Sequence, residues 1–105
     1  MYALHFYAAT HTQWLRDKAE TAMANGIAIF VTEFGTCDAS GNGSYNFTEA
    51  QLWMDWMDAN NISWANWALV NKDEAAAVLR VPTGISGPWS DADCTQTGTW
   101  IKSRL

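Results

Sequence analysis

Basic residues are scarce in this chain. Six Lys and Arg stand against eleven Asp and Glu, a formal net charge of −5, and the few cations form no run. That leaves nucleic acid and anionic membrane surfaces without an electrostatic footing as partners. Long hydrophobic runs are missing too: nothing approaches the roughly 20 apolar residues that a membrane helix needs. Cysteine is limited to Cys37 and Cys94, far apart in sequence. Two cysteines make neither a disulfide framework nor a metal motif, and they can equally form one disulfide or remain two thiols. Met1 is followed by a strand-like segment with no basic region, so no signal peptide is read there. Internal repeats and low-complexity segments are absent.

What remains is a chain of 105 residues, enough for one small domain with a single core. It is 49% hydrophobic and 16% charged, which is globular rather than disordered. Seven Trp exceed what a small core needs. Trp rings either fill core or stack on flat ligands, and their N–H groups want partners. A neutral or sugar-like ligand suits this acidic, Trp-rich surface better than a phosphate. Sequons at Asn42, Asn46 and Asn61 are glycosylation acceptors only in a protein secreted by a eukaryote.

Apolar periodicity organises the chain. Residues 2–9, YALHFYAA, read as a strand. Residues 10–25 switch to helical spacing, with Trp14, Leu15, Ala19, Ala22 and Met23 on one stripe and Arg16, Asp17, Lys18 and Glu20 largely off it. Thr10 or Thr12 can cap that helix, and Gly26 suits a left-handed stop. Residues 27–32 form a second strand, apolar on both faces and so expected to be covered on both. Thr48–Gln51 reads as a capping box opening a helix to about Asn60, with Leu52, Trp53, Trp56 and Met57 as its stripe. A third strand spans 62–69, and a last helix covers about 96–104.

Strand and helix therefore alternate three times, which predicts parallel strands with right-handed crossovers. The connections after Glu33 and Trp67 are long, and those returning from helix to strand are short. In parallel α/β folds, chemistry gathers at the carboxyl ends of strands, where long loops emerge. Three strands with bare edges do not close a domain. A (β/α)8 TIM barrel takes about 250 residues, so the chain is expected to supply about three of its eight units.

Strand alternation places His5 and Tyr7 on one face of the first strand and Leu4 and Phe6 on the other. It places Glu33 with Ile27, Ile29 and Val31, and Trp67 with Ser63 and Ala65. Gly35 then lets the loop turn away. If those faces point together, a carboxylate, an imidazole, a phenol and a flat ring share one mouth, the parts of a sugar-cleaving site. Each residue alone reads as readily as a solvated loop charge or a hydrogen-bonded core side chain, and the pattern by itself leaves both readings open.

The segments ALHFYAATH (3–11), AIFVTEFGTCDASGNG (28–43) and ISWANWALVNK (62–72) resemble glycoside hydrolase family five, specifically its bacterial-type endo-β-1,4-glucanases. The likeness spans nearly the whole chain and corresponds to the sixth, seventh and eighth units of that family's barrel. It implies a secreted enzyme that hydrolyses β-1,4-glucan, with no cofactor and no metal. By the same resemblance Glu33 is the nucleophile of a retaining mechanism. Tyr7 hydrogen-bonds it and keeps it ionised, and His5 binds near the sugar at the cleavage point. Trp67 is the platform beneath the sugar ring, with a cis peptide to Ala68, and Lys72 contacts a hydroxyl on the non-reducing side. One part of the family pattern is missing. The acid/base Glu of its Asn-Glu-Pro motif has no counterpart here, and Glu49 and Glu74 lie in the wrong contexts to replace it. Two other readings compete: a non-catalytic carbohydrate-binding module, against which the helical stripes argue, and a small doubly wound domain that binds rather than cleaves.

Overall fold

The computed structural model describes residues 1–105. The element order is β1 (Tyr2–Tyr7), α1 (Gln13–Ala24), β2 (Ile29–Gly35), α2 (Phe47–Ala59), β3 (Trp64–Asn66), a short 3-10 turn (Asp91–Asp93) and α3 (Gln96–Lys102). All three strands are parallel, in the order β1-β2-β3. The chain forms a slab with extents of 46 × 25 × 19 Å. The expected alternation is present, although β3 is shorter than the 62–69 segment and the 3-10 turn was not foreseen.

Local chemistry sets the helix ends. After α1 the chain turns through Gly26 at φ 82°, a conformation that a side chain would oppose. Thr12 occupies the position before α1, but its hydroxyl makes no capping bond. The capping box expected at Thr48 is not formed. Instead Asn46 caps α2, its side-chain oxygen accepting the Glu49 N–H at 2.9 Å, so the helix starts two residues earlier. The Glu49 carboxylate does not return to the cap; it pairs with Arg16 at 2.6 Å.

One hydrophobic core lies between the sheet and its helices. Phe6, Val31 and Phe34 pack against Trp53, Met54 and Met57 of α2, with Ile62 and Ile101 closing the cluster. Phe6 sits between Phe34 and Trp53, with ring centroids at 5.1 and 4.0 Å. The buried Trp53 N–H donates to the His11 carbonyl, so no polar atom of that ring is orphaned. On α2 the buried stripe is Ala50, Trp53, Met54 and Met57, whereas Leu52, placed on the stripe by the sequence, is 48% exposed. On α1 the reverse occurs: Arg16, read as off the stripe, is 4% exposed. Its guanidinium lies 4.9 Å over the Trp53 ring, donates to Gln13 and pairs with Glu49, which together compensate the buried charge.

The opposite face of the sheet differs from expectation. Ala3, His5, Thr32 and Ala65 are exposed, so the strands are covered on one side only. Cys37 and Cys94 are both buried and unpaired, which settles the disulfide question against a bond. Cys37 packs with Ala75 and Ala76 beneath Tyr7, while the Cys94 thiol donates to the Ser90 carbonyl.

Candidate active site

A single extra residue in β2 organises the site. Leu4 pairs with Val31 and Phe6 with Phe34, so two steps along β1 correspond to three along β2. The same mismatch recurs on the other edge, where Val31 pairs with Trp64 and Phe34 with Asn66. Both neighbours thus report a β-bulge at Thr32 and Glu33. Simple alternation would put Glu33 with Val31, on the face that packs under α2. Val31 does lie there, fully buried, but the bulge resets the alternation. Phe34 returns to the core, and Glu33 emerges on the open face beside His5 and Tyr7. The expected neighbours are therefore present, but Glu33 does not continue the Ile27, Ile29, Val31 face.

Both oxygens of Glu33 have partners. Tyr7 donates its phenol O–H to Oε1 at 2.8 Å. The Nδ1 of His5 lies 3.6 Å from Oε2. The carboxylate remains 23% exposed, accessible to a ligand while held on both sides. Burial first, then the bond to Glu33 and its negative charge, push the Tyr7 phenol well above its ordinary value of 10.0. Tyr7 is thereby kept as a proton donor to the acid.

Three further neighbours hold this arrangement; of these, the sequence singled out only Gly35, and for a loop turn, while His11 and Thr32 were given no role. Gly35 pairs with Tyr7 across the ladder. A Cβ there would sit 2.5 Å from the Tyr7 ring, so the glycine is a seat for that ring. It is the last residue of β2 and does not take the left-handed conformation that would make the following turn require a glycine. His11 accepts the Tyr7 backbone N–H on Nδ1 at 2.8 Å, fixing the strand end. Thr32 bonds His5 Nε2 through its hydroxyl at 3.0 Å. A glycine opposite an aromatic residue is a readable hint once register is known; the register itself, shifted by the bulge, was not readable.

Trp67 is tied to the same strand. The Phe34 carbonyl, adjacent to Glu33, accepts both the Trp67 N–H at 2.9 Å and the Asn66 side-chain amide at 3.0 Å. The Trp67 side chain is 50% exposed, and the Trp67–Ala68 peptide is cis, as expected. Lys72 is not brought against Glu33. It lines an open cleft of about 720 Å³ together with Asn42, Tyr45, Glu74, Arg80 and Gln96. The loops after β2 and β3 are clipped together beside it, where Gly41 accepts from Ala76 and the Asn42 side chain accepts from Ala75. Glu49 is occupied by Arg16, and the charge of Glu74 contributes to the raised Tyr7 value.

Comparison with known proteins gives this geometry a family. The family model described as cellulase (glycosyl hydrolase family 5) matches residues 1–73. An endoglucanase from Clostridium saccharobutylicum is 54% identical over 105 residues, which is 100% of this chain and 23% of that protein. The chain thus spans less than a quarter of that relative's length. A solved chain from Cytophaga hutchinsonii superposes with a TM-score of 0.97 at 45% identity, covering 99% of this chain and 34% of its own. The catalytic domain of a Thermobifida fusca endoglucanase, solved in complex with cellotetraose, superposes with a TM-score of 0.87 at 33% identity over 99% of this chain and 34% of that one. The fold of such enzymes is a (β/α)8 barrel, and a three-stranded parallel sheet is consistent with part of one. The chain belongs to the cellulase family, glycosyl hydrolase family 5.

Proposed function

We propose that this chain supplies the nucleophile half of a retaining endo-β-1,4-glucanase site. In this reading residues 1–105 are the last three β/α units of the barrel, and the open face of the sheet lines its interior. Glu33 attacks the anomeric carbon, the glucosyl–oxygen bond breaks, and a glycosyl-enzyme ester forms; water later cleaves that ester. Tyr7 donates to the carboxylate in the ground state and releases that oxygen as the ester forms. His5 borders the other oxygen, where the sugar enters. Trp67 offers a flat apolar surface for the pyranose ring. Lys72, with Glu74 beside it in the open cleft, reaches hydroxyls of the next glucose.

The observation that carries the proposal is the Tyr7–Glu33 bond at 2.8 Å with His5 at 3.6 Å on the second oxygen, all on the exposed side of a family 5 sheet. A retaining glycosidase also needs an acid/base carboxyl about 5–5.5 Å from the nucleophile. The chain contains no Asn-Glu-Pro segment, and Glu49 is engaged with Arg16. The acid/base group therefore comes from β/α units outside residues 1–105, and the chain alone is inactive. Assaying residues 1–105 and the full-length protein on carboxymethyl-cellulose tests this. Turnover by the full-length protein only is expected; comparable turnover by the short chain would overturn the division of the site.

A further inference from the structure

The bulge that turns Glu33 outward also places a hydroxyl against His5, and the geometry there points to a role for it. We propose that Thr32 is a positioning residue: its hydroxyl donates to His5 Nε2 and holds the imidazole in the tautomer whose Nδ1–H faces Glu33. Two distances carry this. Thr32 Oγ1 lies 3.0 Å from Nε2, and Glu33 Oε2 lies 3.6 Å from Nδ1. An ionised carboxylate only accepts, so an unprotonated Nδ1 would set lone pair against lone pair across that gap. The proton therefore sits on Nδ1. In the neutral ring Nε2 is then an acceptor, and the donor within reach is the Thr32 hydroxyl, which has no other partner.

A hydroxyl suits this position better than a fixed donor would. It rotates, so it donates to Nε2 in the neutral ring and accepts from it when the ring is charged. The imidazole side chain is 53% exposed, so polar contacts rather than packing within residues 1–105 set its orientation. The titratable groups facing it are Glu33 and, through Glu33, Tyr7. Thr32 reaches His5 only because the bulge puts two consecutive β2 side chains, Thr32 and Glu33, beside one β1 residue. The same extra residue thus exposes Glu33 and sets the Thr32 hydroxyl against its neighbour His5.

The catalytic part of this inference rests on the glucanase reading, and the structural part does not. The full-length protein is compared with Thr32→Val, which keeps the shape and removes the hydroxyl, and with Thr32→Ser, which restores it. Nitrogen NMR of the His5 ring at about pH 8, where free imidazole is neutral, reads the tautomer without substrate. The Nδ1–H form is expected in the wild type and in Thr32→Ser, with a mixture of tautomers in Thr32→Val. On carboxymethyl-cellulose, Thr32→Val is expected to lower kcat about tenfold with little change in KM, the scale of losing one hydrogen bond to an ionisable group. Thr32→Ser should recover most of that loss. An Nε2–H or doubly protonated ring in the wild type, an unchanged tautomer in Thr32→Val, or a Thr32→Ser variant as impaired as Thr32→Val would overturn the proposal. A wild type that cleaves no glucan yet shows the expected tautomer shift would instead refute the glucanase reading and leave the positioning role intact.

Discussion

The two faces of the sheet share a backbone and little else. On one, Phe6, Val31 and Phe34 are fully buried under α2, with Phe6 stacked on Trp53 and Phe34 edge-on to Trp64. On the other, His5, Thr32 and Glu33 are partly or largely exposed, His5 bonding Thr32 and Tyr7 bonding Glu33. The packed face is tolerant of small electrostatic changes and intolerant of lost volume. The open face is the reverse. What assigns each β2 residue to a side is one added residue between Val31 and Phe34, which both neighbouring strands register. The sheet thus combines a packed layer that holds the strands with a bulge that redirects one carboxylate.

Variants can break the contrast from either side. On the open face, Glu33→Gln in the full-length protein should reduce kcat on carboxymethyl-cellulose by about a thousandfold or more, the scale for removing a covalent nucleophile. Its melting temperature should change little, because Glu33 is partly exposed and outside the core. On the packed face, Trp53→Ala should cost about 3–5 kcal/mol of stability, measured by denaturant unfolding, since the ring is fully buried against Phe6 and Arg16. Gly35→Ala joins the two faces. Its Cβ would overlap the Tyr7 ring, so the phenol should leave Glu33, and kcat should fall about tenfold with a smaller loss of stability.

A subtler effect follows from the phenol. Its value is raised in the folded state, so above the ordinary value of 10.0 the unfolded chain loses a proton that the folded chain keeps. Folding stability should therefore decline with rising pH from about 10 onward. Tyr7→Phe should flatten that alkaline decline, as followed by thermal melts at stepped pH. Leu52→Ala is the smallest effect: at 48% exposure the change should stay within about 0.5 kcal/mol, and activity should not move.

How much of this could be read from the residues follows the same divide. The alternation of elements, the place of Trp53 on the buried stripe of α2, and the nearness of His5 and Tyr7 to Glu33 were legible, because periodicity and loop length point to them. The face of Glu33 was not, because a bulge has no signature in an all-apolar strand, where both faces look buried. Arg16 was misplaced since its burial depends on Trp53 and Glu49, more than 30 residues away in sequence. The start of α2 was misread because Asn46 and Thr48 both head plausible caps, and the pairing of Glu49 with Arg16 is a tertiary fact. Gly35 carried a loop-turn reading for lack of the register that sets it against Tyr7.

The proposed function stands or falls on Glu33 as the group that bonds covalently to the sugar. The most direct test is to trap that ester on the full-length protein with a 2-deoxy-2-fluoro cellobioside bearing a good leaving group, then to map the labelled peptide by mass spectrometry. One added fluorocellobiosyl group is expected on Glu33, and none on Glu33→Gln. A label on Glu74 or on a carboxylate outside residues 1–105, with Glu33 unmodified, would contradict it.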